Sequence, residues 1–400
     1  MNLNSRKCIV CGSLSSIEKY DKPTESIAGI GDINYHHKIR VCNDCGFVFA
    51  SPLLDEKLIL SYYETHSNYE NPQFDGKRPQ VELNYIHRYL DFVKSRFNQD
   101  FKGNAIDIGC ATAYGLSMLK NDGWNVVGFD PSPKCVKLSK ELYDVDVEQS
   151  FFDVNVLKKY QKFDLVIFCH VIEHLLHPDI IAKQLHEIIA DDGIVYIEVP
   201  NLQKPDDRYC YFSFEHINYF TPTSLTNLMA TNGFEVDSLK LFDNGPQISP
   251  YYPVIASTWK KSVKKAEIQN NFDEAISVID QFQEMANDLT KKIQKIIDNV
   301  LSETRPERVA LWGGGIHTSQ LLSETILGQH RLGCIFDNDP KKCGERLRDI
   351  TILSFDGDAD KLKKSIDTII ISSEASENII FEQIKYVQDS GVKVIKLYSN

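Results

Sequence analysis

Asn104-Ala-Ile-Asp107-Ile-Gly109-Cys-Ala111-Thr-Ala113-Tyr-Gly115 is the stretch on which the fold turns. Asn104–Ile108 reads as a short strand, and Leu116–Asn121 as the start of a helix. Between them Gly109, Ala111, Ala113 and Gly115 are small enough to let backbone approach a ligand, with the amides of the helix start aimed at it. The alanines serve there if their φ stays negative, because only glycine takes positive φ without steric cost. A second strand, Asn125–Phe129, delivers Asp130, 23 residues after Asp107, where a carboxylate can bind both ribose hydroxyls. Such a loop alone suits a dinucleotide equally well. Asp107 separates the two, because a carboxylate at the strand end repels a pyrophosphate but suits an amino-acid ammonium. The combination points to S-adenosylmethionine.

Outward from this stretch, strands at Phe163–Phe168 and Ile194–Val199 alternate with helical patterns from about residue 80 to 255. Strand–helix alternation predicts an α/β fold on a parallel sheet. Residues 256–306 lose glycine and become charged, while apolar residues from Ile268 through Phe272, Ile276 and Phe282 to Val300 keep helical spacing. One or two long helices linking domains are expected there, packed on their own chain or paired in a homodimer. From Arg308 the alternation resumes: strand Arg308–Trp312, then Gly313-Gly314-Gly315, a helix, and strands at Cys334–Phe336, Thr368–Ser372 and Val392–Leu397. The chain divides into residues 1–75, 76–255, 256–306 and 307–400, the last a second, smaller Rossmann-like unit.

Lys and Arg number 44 against 56 Asp and Glu, a net charge of −12. An acidic balance argues against nucleic acid or an anionic membrane as partner, since both select basic surfaces. The start, MNLNSRKC, lacks the apolar core of a signal peptide, and no apolar run approaches the ~20 residues of a membrane span. A soluble, cytoplasmic protein is expected. Four of the ten cysteines form two knuckles, Cys8-x-x-Cys11 and Cys42-x-x-Cys45. Paired thiolates of this spacing close a tetrahedral zinc site with no open position, a structural metal for a module too short to have its own core. His36 or His37, between the knuckles, is the alternative to one of these ligands.

Two further motifs carry polar chemistry. In Tyr211-Phe-Ser-Phe214-Glu215-His216-Ile-Asn-Tyr219, a Glu-His pair sits inside an aromatic run. Histidine titrates near neutrality, as a general base must, and a carboxylate can tune it. The plainer reading is a histidine bridging two loops. In Trp312-Gly313-Gly-Gly315-Ile-His317-Thr318, a second glycine loop precedes a helix, and Asp337 ends the next strand. That arrangement suits a nucleotide diphosphate at Gly313, Gly315 and His317, with its ribose at Asp337; the alternative is a degenerate domain that dimerises or covers the site. Lys341 and Lys342 read as solvated. His170-x-x-Glu173-His174 spells an inverted zinc-protease motif but follows directly on a strand, so Glu173 and His174 are expected to start a helix.

Residues 104–235 resemble a class I methyltransferase. Asp107, Gly109 and Gly115 match its glycine loop, Ala111 and Ala113 stand where the family usually has glycine, and Asp130 matches its ribose acid. Phe163-Asp-Leu-Val-Ile-Phe-Cys-His170-Val-Ile-Glu173-His174 matches its fourth-strand signature. The resemblance implies S-adenosylmethionine as cofactor, with Asp153 near the adenine and His170 at the cofactor's edge. Across nearly its whole length the chain resembles the sugar C-methyltransferases that act on nucleotide-linked 4-keto sugars. Those enzymes combine a four-cysteine zinc module, a methyltransferase, a Glu-His-x-x-Tyr segment and a nucleotide-binding-like domain. The resemblance implies that His216, tuned by Glu215, removes the proton α to the ketone, while Tyr219 or Tyr69 hydrogen-bonds the enolate. O-methylation of a sugar or glycan, and a non-catalytic scaffold, are the alternatives.

Overall fold

The computed structural model describes residues 6–27, 30–65, 78–152, 154–157, 159–204, 212–244, 247–248, 252–374 and 376–398. An N-terminal hairpin of β1 (Ser16–Ile27) and β2 (Gly31–Cys42) leads into β3 (Val48–Ala50), then α1 (Glu56–Thr65) and α2 (Gln80–Lys94). Next come β4 (Asn104–Ile108), α3 (Tyr114–Asn121), β5 (Asn125–Asp130), α4 (Pro133–Tyr143), β6 (Val147–Gln149) and the short α5 (Val154–Leu157). β7 (Phe163–Cys169), α6 (Pro178–Ile188), β8 (Ile189–Pro200), β9 (Asn218–Tyr219), α7 (Pro222–Thr231), β10 (Phe234–Phe242) and β11 (Val254–Lys261) complete the central region.

Seven of these strands form one sheet in the order β10-β11-β8-β7-β4-β5-β6, in which β11 alone runs against the others. Strand alternation divides its core between two faces. Ile106, Ile108, Val166 and Phe168 enter one cluster; Ala105, Leu165 and Ile167 enter the other with Leu90 of α2 and Leu116 of α3. Each such buried Leu, Ile or Phe contributes ~1.5–3 kcal/mol. The order reverses at β4, flanked by β5 and β7, so the crevice at the carboxyl ends of these strands is where a doubly wound sheet takes its ligand.

The N-terminal segment does not stand apart. Its sheet, β1-β2-β3-β9, is closed by β9 from beyond the central strands, pairing Val48 with Tyr219. Cys8, Cys42, Cys45, Phe47 and Phe49 share a core with the central sheet. The expected linker is also reshaped. Residues 254–261 are β11, paired between β8 and β10, so the helical region begins later than residue 256. The terminal lysines Lys260 and Lys261 gave that strand its charged look, whereas Val254 to Trp259 are buried. Ile268 lies outside any helix, and a single helix follows, α8 (Phe272–Glu303). α8 packs Ile279 and Phe282 on the N-terminal sheet and Ile293, Ile297 and Val300 on the C-terminal core.

The C-terminal sheet comprises β12 (Val309–Trp312), β13 (Cys334–Phe336), β14 (Arg346–Leu347), β15 (Ile350–Leu353), β16 (Thr368–Ile371) and β17 (Lys393–Lys396), in the order β14-β15-β13-β12-β16-β17. It carries α9 (Ile316–Glu324), α10 (Ala359–Lys363) and α11 (Glu377–Ile384). The β1–β2 hairpin reaches it: Ser319 Oγ donates to the Ser26 carbonyl, Arg348 N to Ser26 Oγ at 3.3 Å, and Lys22 pairs with Glu324 at 3.3 Å. No helix among the described residues is long and apolar enough to cross a membrane.

Candidate active site

Asp107, the penultimate residue of β4, is buried and leaves Oδ1 without a hydrogen-bond partner. Burial first, and then the neighbouring Asp130 carboxylate, push its carboxyl well above the usual range. A buried oxygen left bare is costly, and an ammonium brought to it removes that cost. Gly109 takes φ +73°, and a Cβ there would come within 2.7 Å of Val171 Cγ2. The alanines depart from expectation: Ala111 has φ 48° and Ala113 φ 57°. Left-handed backbone costs a non-glycine residue ~1–2 kcal/mol, and the surroundings hold it in place. Ala111 N donates to Asp130 Oδ2 at 2.9 Å and Ala113 N to the Cys110 carbonyl at 2.8 Å; Gly109 N and Cys110 N both donate to the Phe129 carbonyl. Asp130 Oδ1 accepts from Ser132 N at 2.9 Å, so this acid pins the loop as well as facing it. Gly115 serves a different purpose from the one expected. It is buried one step into α3, where a Cβ would collide with the Tyr89 hydroxyl of α2, so it gives room to helix packing.

At the end of β7, His170 has φ 53° and lies between two carboxylates. Nδ1 is 3.3 Å from Glu173 and Nε2 3.5 Å from Glu198, with the Tyr252 hydroxyl 3.4 Å from Nδ1. Burial pulls the imidazolium down, but hydrogen bonds to Glu173 and Glu198 outweigh it and push the ring up to about 9. Glu198 is fully buried and also binds Arg88 at 2.6 Å and the Tyr196 hydroxyl at 2.5 Å. Burial raises its carboxyl, yet His170 and Arg88 hold it below the usual value. Sequence reasoning passed over Arg88 and Glu198. The signal was a lone charge inside the apolar run Tyr196-Ile-Glu-Val-Pro200.

Glu173 and His174 lie in a turn, and the helix begins only at Pro178. The turn's carbonyls are taken by the Glu215 segment. Glu173 O accepts from Ile217 N and Asn218 N, both at 3.0 Å, and Asn218 Nδ2 donates to Leu175 O at 2.7 Å. His174 Nδ1 donates to the Glu215 carbonyl at 2.7 Å, and the His174 and His216 rings lie 4.8 Å apart. Glu215 is half-buried; burial raises its carboxyl against the pull of His174 and of the Tyr62 hydroxyl.

Tyr219 is placed otherwise than an enolate partner requires. It is buried in β9, donates to the His216 carbonyl at 2.7 Å and contacts His37 Nε2 at 2.9 Å. His37 Nδ1 meets the Tyr35 hydroxyl at 3.0 Å, and burial keeps this ring neutral, lowered to about 3. The Tyr35 hydroxyl also lies 3.2 Å from the Pro52 carbonyl; with its one proton on His37, His37 donates to Tyr219 and Tyr219 to the carbonyl of His216. The Tyr219 hydroxyl is therefore committed to hydrogen bonds within the fold, and His37 lies in this hydrogen-bonded chain rather than with the knuckles; His36 pairs with Asp21 at 2.7 Å. Tyr69 and Asp153 lie outside the described residues.

The four knuckle cysteines converge. Cys8 Sγ is 3.5 Å from Cys45 Sγ, Cys11 Sγ is 3.5 Å from Cys42 Sγ, and all four sulfurs lie within 4.8 Å of one another. Four thiolates at ~2.3 Å around one tetrahedral ion stand ~3.8 Å apart, so the cluster fits such an ion. Gly46, at φ +75°, lets the second knuckle turn beneath the start of α8, where a Cβ would meet Phe272 N at 2.5 Å.

In the C-terminal sheet, Gly313 has φ +114°, and Gly314 N donates to Asp337 Oδ2 at 2.7 Å. Lys342, contrary to its solvated reading, is largely buried with Nζ 3.4 Å from that oxygen. Gly315 precedes α9, and His317 packs edge-on to Tyr398.

A sheet ordered with one reversed strand, β11, next to the edge, and a glycine loop at its switch point between two acids, define the class I methyltransferase fold. Residues 81–239 match the family described as "Methyltransferase domain". The chain is 24% identical over 161 residues to the ubiquinone biosynthesis O-methyltransferase of Pelagibacter ubique, covering 36% of this chain and 67% of that protein. It is 31% identical over 134 residues to the tRNA U34 carboxymethyltransferase of Campylobacter lari, covering 32% and 43%. Among solved structures, magnesium protoporphyrin IX methyltransferase from Synechocystis with bound S-adenosylmethionine aligns at a TM-score of 0.39 and 15% identity, covering 53% of this chain and 99% of that one. The chain thus spans about two fifths to two thirds of the two curated relatives' lengths. Its central region is an S-adenosylmethionine-dependent methyltransferase domain.

Proposed function

We propose that the chain methylates a nucleotide-linked sugar, at the carbon beside a 4-keto group. The observation that carries methyl transfer is Asp107 Oδ1, buried and bare beside a loop pinned by Asp130. Asp107 would hold the ammonium of S-adenosylmethionine and Asp130 its ribose hydroxyls. The bound donor supplies a methyl group already activated by its sulfonium, so the protein's work is alignment and removal of one proton. A ring nitrogen of His216 takes that proton from the carbon α to the ketone, and the electron pair left behind rests on the ketone oxygen. His174 and Tyr219, both bonded to the backbone of this segment, fix where His216 stands.

Support for a sugar nucleotide comes from the second glycine loop, where Gly313, Gly315, His317 and Asp337 would take the nucleotide and Lys342 offers a positive charge. Cys8, Cys11, Cys42 and Cys45 would hold a structural zinc, which has no open position and no part in the chemistry. The likeness to ubiquinone O-methyltransferases favours a second reading, transfer to a sugar oxygen, in which the same His216 takes a hydroxyl proton.

The test is methyl transfer from labelled donor to nucleotide sugars, each offered with and without the 4-keto group. Transfer confined to keto forms, with solvent exchange of the α proton, is the expected result. Transfer to the reduced forms assigns the oxygen. No transfer to any, despite donor binding, overturns the sugar reading.

A further inference from the structure

Glu173 is 1% exposed, and its Oε2 has no hydrogen-bond partner. Asp107, the other bare carboxylate of this crevice, is accounted for by the donor's ammonium; Glu173 is not. Its Oε1 is shared with His170 at 3.3 Å, which leaves Oε2 as the uncommitted atom. A buried carboxylate oxygen in this state calls for a positive charge or a donor. The carboxylate's other oxygen, Oε1, faces two imidazoles, those of His170 and His174. His174 Nε2 lies 3.9 Å from Glu173 Oε1, and ligand atoms of Glu173, His174 and His216 all lie within 4.8 Å of one another.

We propose that Glu173, His174 and His216 form a site for a first-row transition dication, such as Zn2+ or Co2+, distinct from the four-cysteine cluster. Two imidazoles and one carboxylate are the donor set of open catalytic metal sites, and at ~2.0–2.2 Å from the ion they stand roughly 3–3.5 Å apart, a closure of up to about 1.5 Å from the present spacing. The outer shell is already built. His174 Nδ1 donates to the Glu215 carbonyl at 2.7 Å, the bond that fixes tautomer and ring orientation in metal-binding histidines and leaves Nε2 as the ligand atom. The Glu173 and Glu215 backbones are tied together through Ile217 N, so the two segments that supply ligands are held as one unit. A fourth position remains for a water or an acceptor oxygen, whose acidity the ion would raise. This site goes beyond the reading above, which assigns no metal to this crevice: with the ion bound, a metal-held water would take the proton in place of His216.

The full chain, its four-cysteine site filled with zinc, is titrated with Co2+ and followed by absorption and by metal analysis. Thiolate-bound cobalt gives intense sulfur charge-transfer bands, whereas a nitrogen–oxygen site gives only weak visible bands. The expected result is one added Co2+ per chain without sulfur bands, lost or weakened at least tenfold in His174→Gln and in His216→Gln. Near-ultraviolet circular dichroism identifies which variant is folded, and either folded variant suffices. No added equivalent in the wild-type chain, or its retention in a folded variant, overturns the site. Neither result depends on which acceptor is methylated, so failure of the sugar reading is seen separately.

Discussion

The two glycine loops of this chain are built alike and differ where a ligand would touch them. In both, the first glycine amide donates to the carbonyl just before the acid at the end of the neighbouring strand, Gly109 to Phe129 at 2.7 Å and Gly313 to Phe336 at 2.8 Å. In both, that acid accepts a loop amide, Asp130 from Ala111 and Asp337 from Gly314. Two residues before the glycine, however, the first loop has Asp107, with a bare oxygen, and the second has the buried Leu311. The second adds Lys342 on its acid. One frame therefore presents a negative charge to a cationic ligand head, and the other presents a positive charge suited to a phosphate. The two loops share a frame and differ in the charge placed on it.

The largest effect expected from this contrast is at Asp107. Asp107→Ala should weaken S-adenosylmethionine binding ~100-fold or more by calorimetry, the scale of a lost buried charge-assisted bond, and leave nucleotide diphosphate affinity unchanged. The ligand-free variant should melt higher, since the burial penalty on the carboxylate is gone. Lys342→Ala should do the converse, weakening nucleotide diphosphate binding ~10-fold with donor affinity intact. Backbone substitutions should act in opposite directions. Ala111→Gly relieves a positive φ and should stabilise by ~0.5–1 kcal/mol, whereas Gly313→Ala imposes one and should cost about 1 kcal/mol, both read from denaturant midpoints. The smallest effect concerns a group the second loop lacks, where the strand beside β12 is followed by Ser372 and Ser373. His170 titrates at about 9 against ~6.5 unfolded. Its charged ring therefore stabilises the fold fully below pH ~6.5, and that contribution is lost as pH rises through about 9. NMR titration of the ring, with His170→Gln as the flat control in stability against pH, checks it.

The parallel strands were legible because their apolar runs are short and bounded, and β4, β5, β7 and β8 cover the stretches read as strands. The loop acids were legible because spacing after a strand fixes them. What escaped depended on partners far off in sequence. Tyr219 looks catalytic until His37, 182 residues away, occupies its hydroxyl. β9 is two residues long and exists only through β3. Ala111 and Ala113 show no sign of positive φ in their side chains, because Asp130 and Phe129 impose it. Glu173 and His174 carry helical residue types, yet their turn is fixed by amides of Ile217 and Asn218.

The pairing of β3 with β9 also sets a timetable for the nascent chain. Val48 leaves the ribosome 171 residues before its partner Tyr219. At ~5–20 residues per second, that edge of the N-terminal sheet waits roughly 9–34 s for its neighbour. During that interval β3, with Phe49 among its three apolar residues, is an open template for pairing with other chains, and whatever covers it must do so before residue 219 is made.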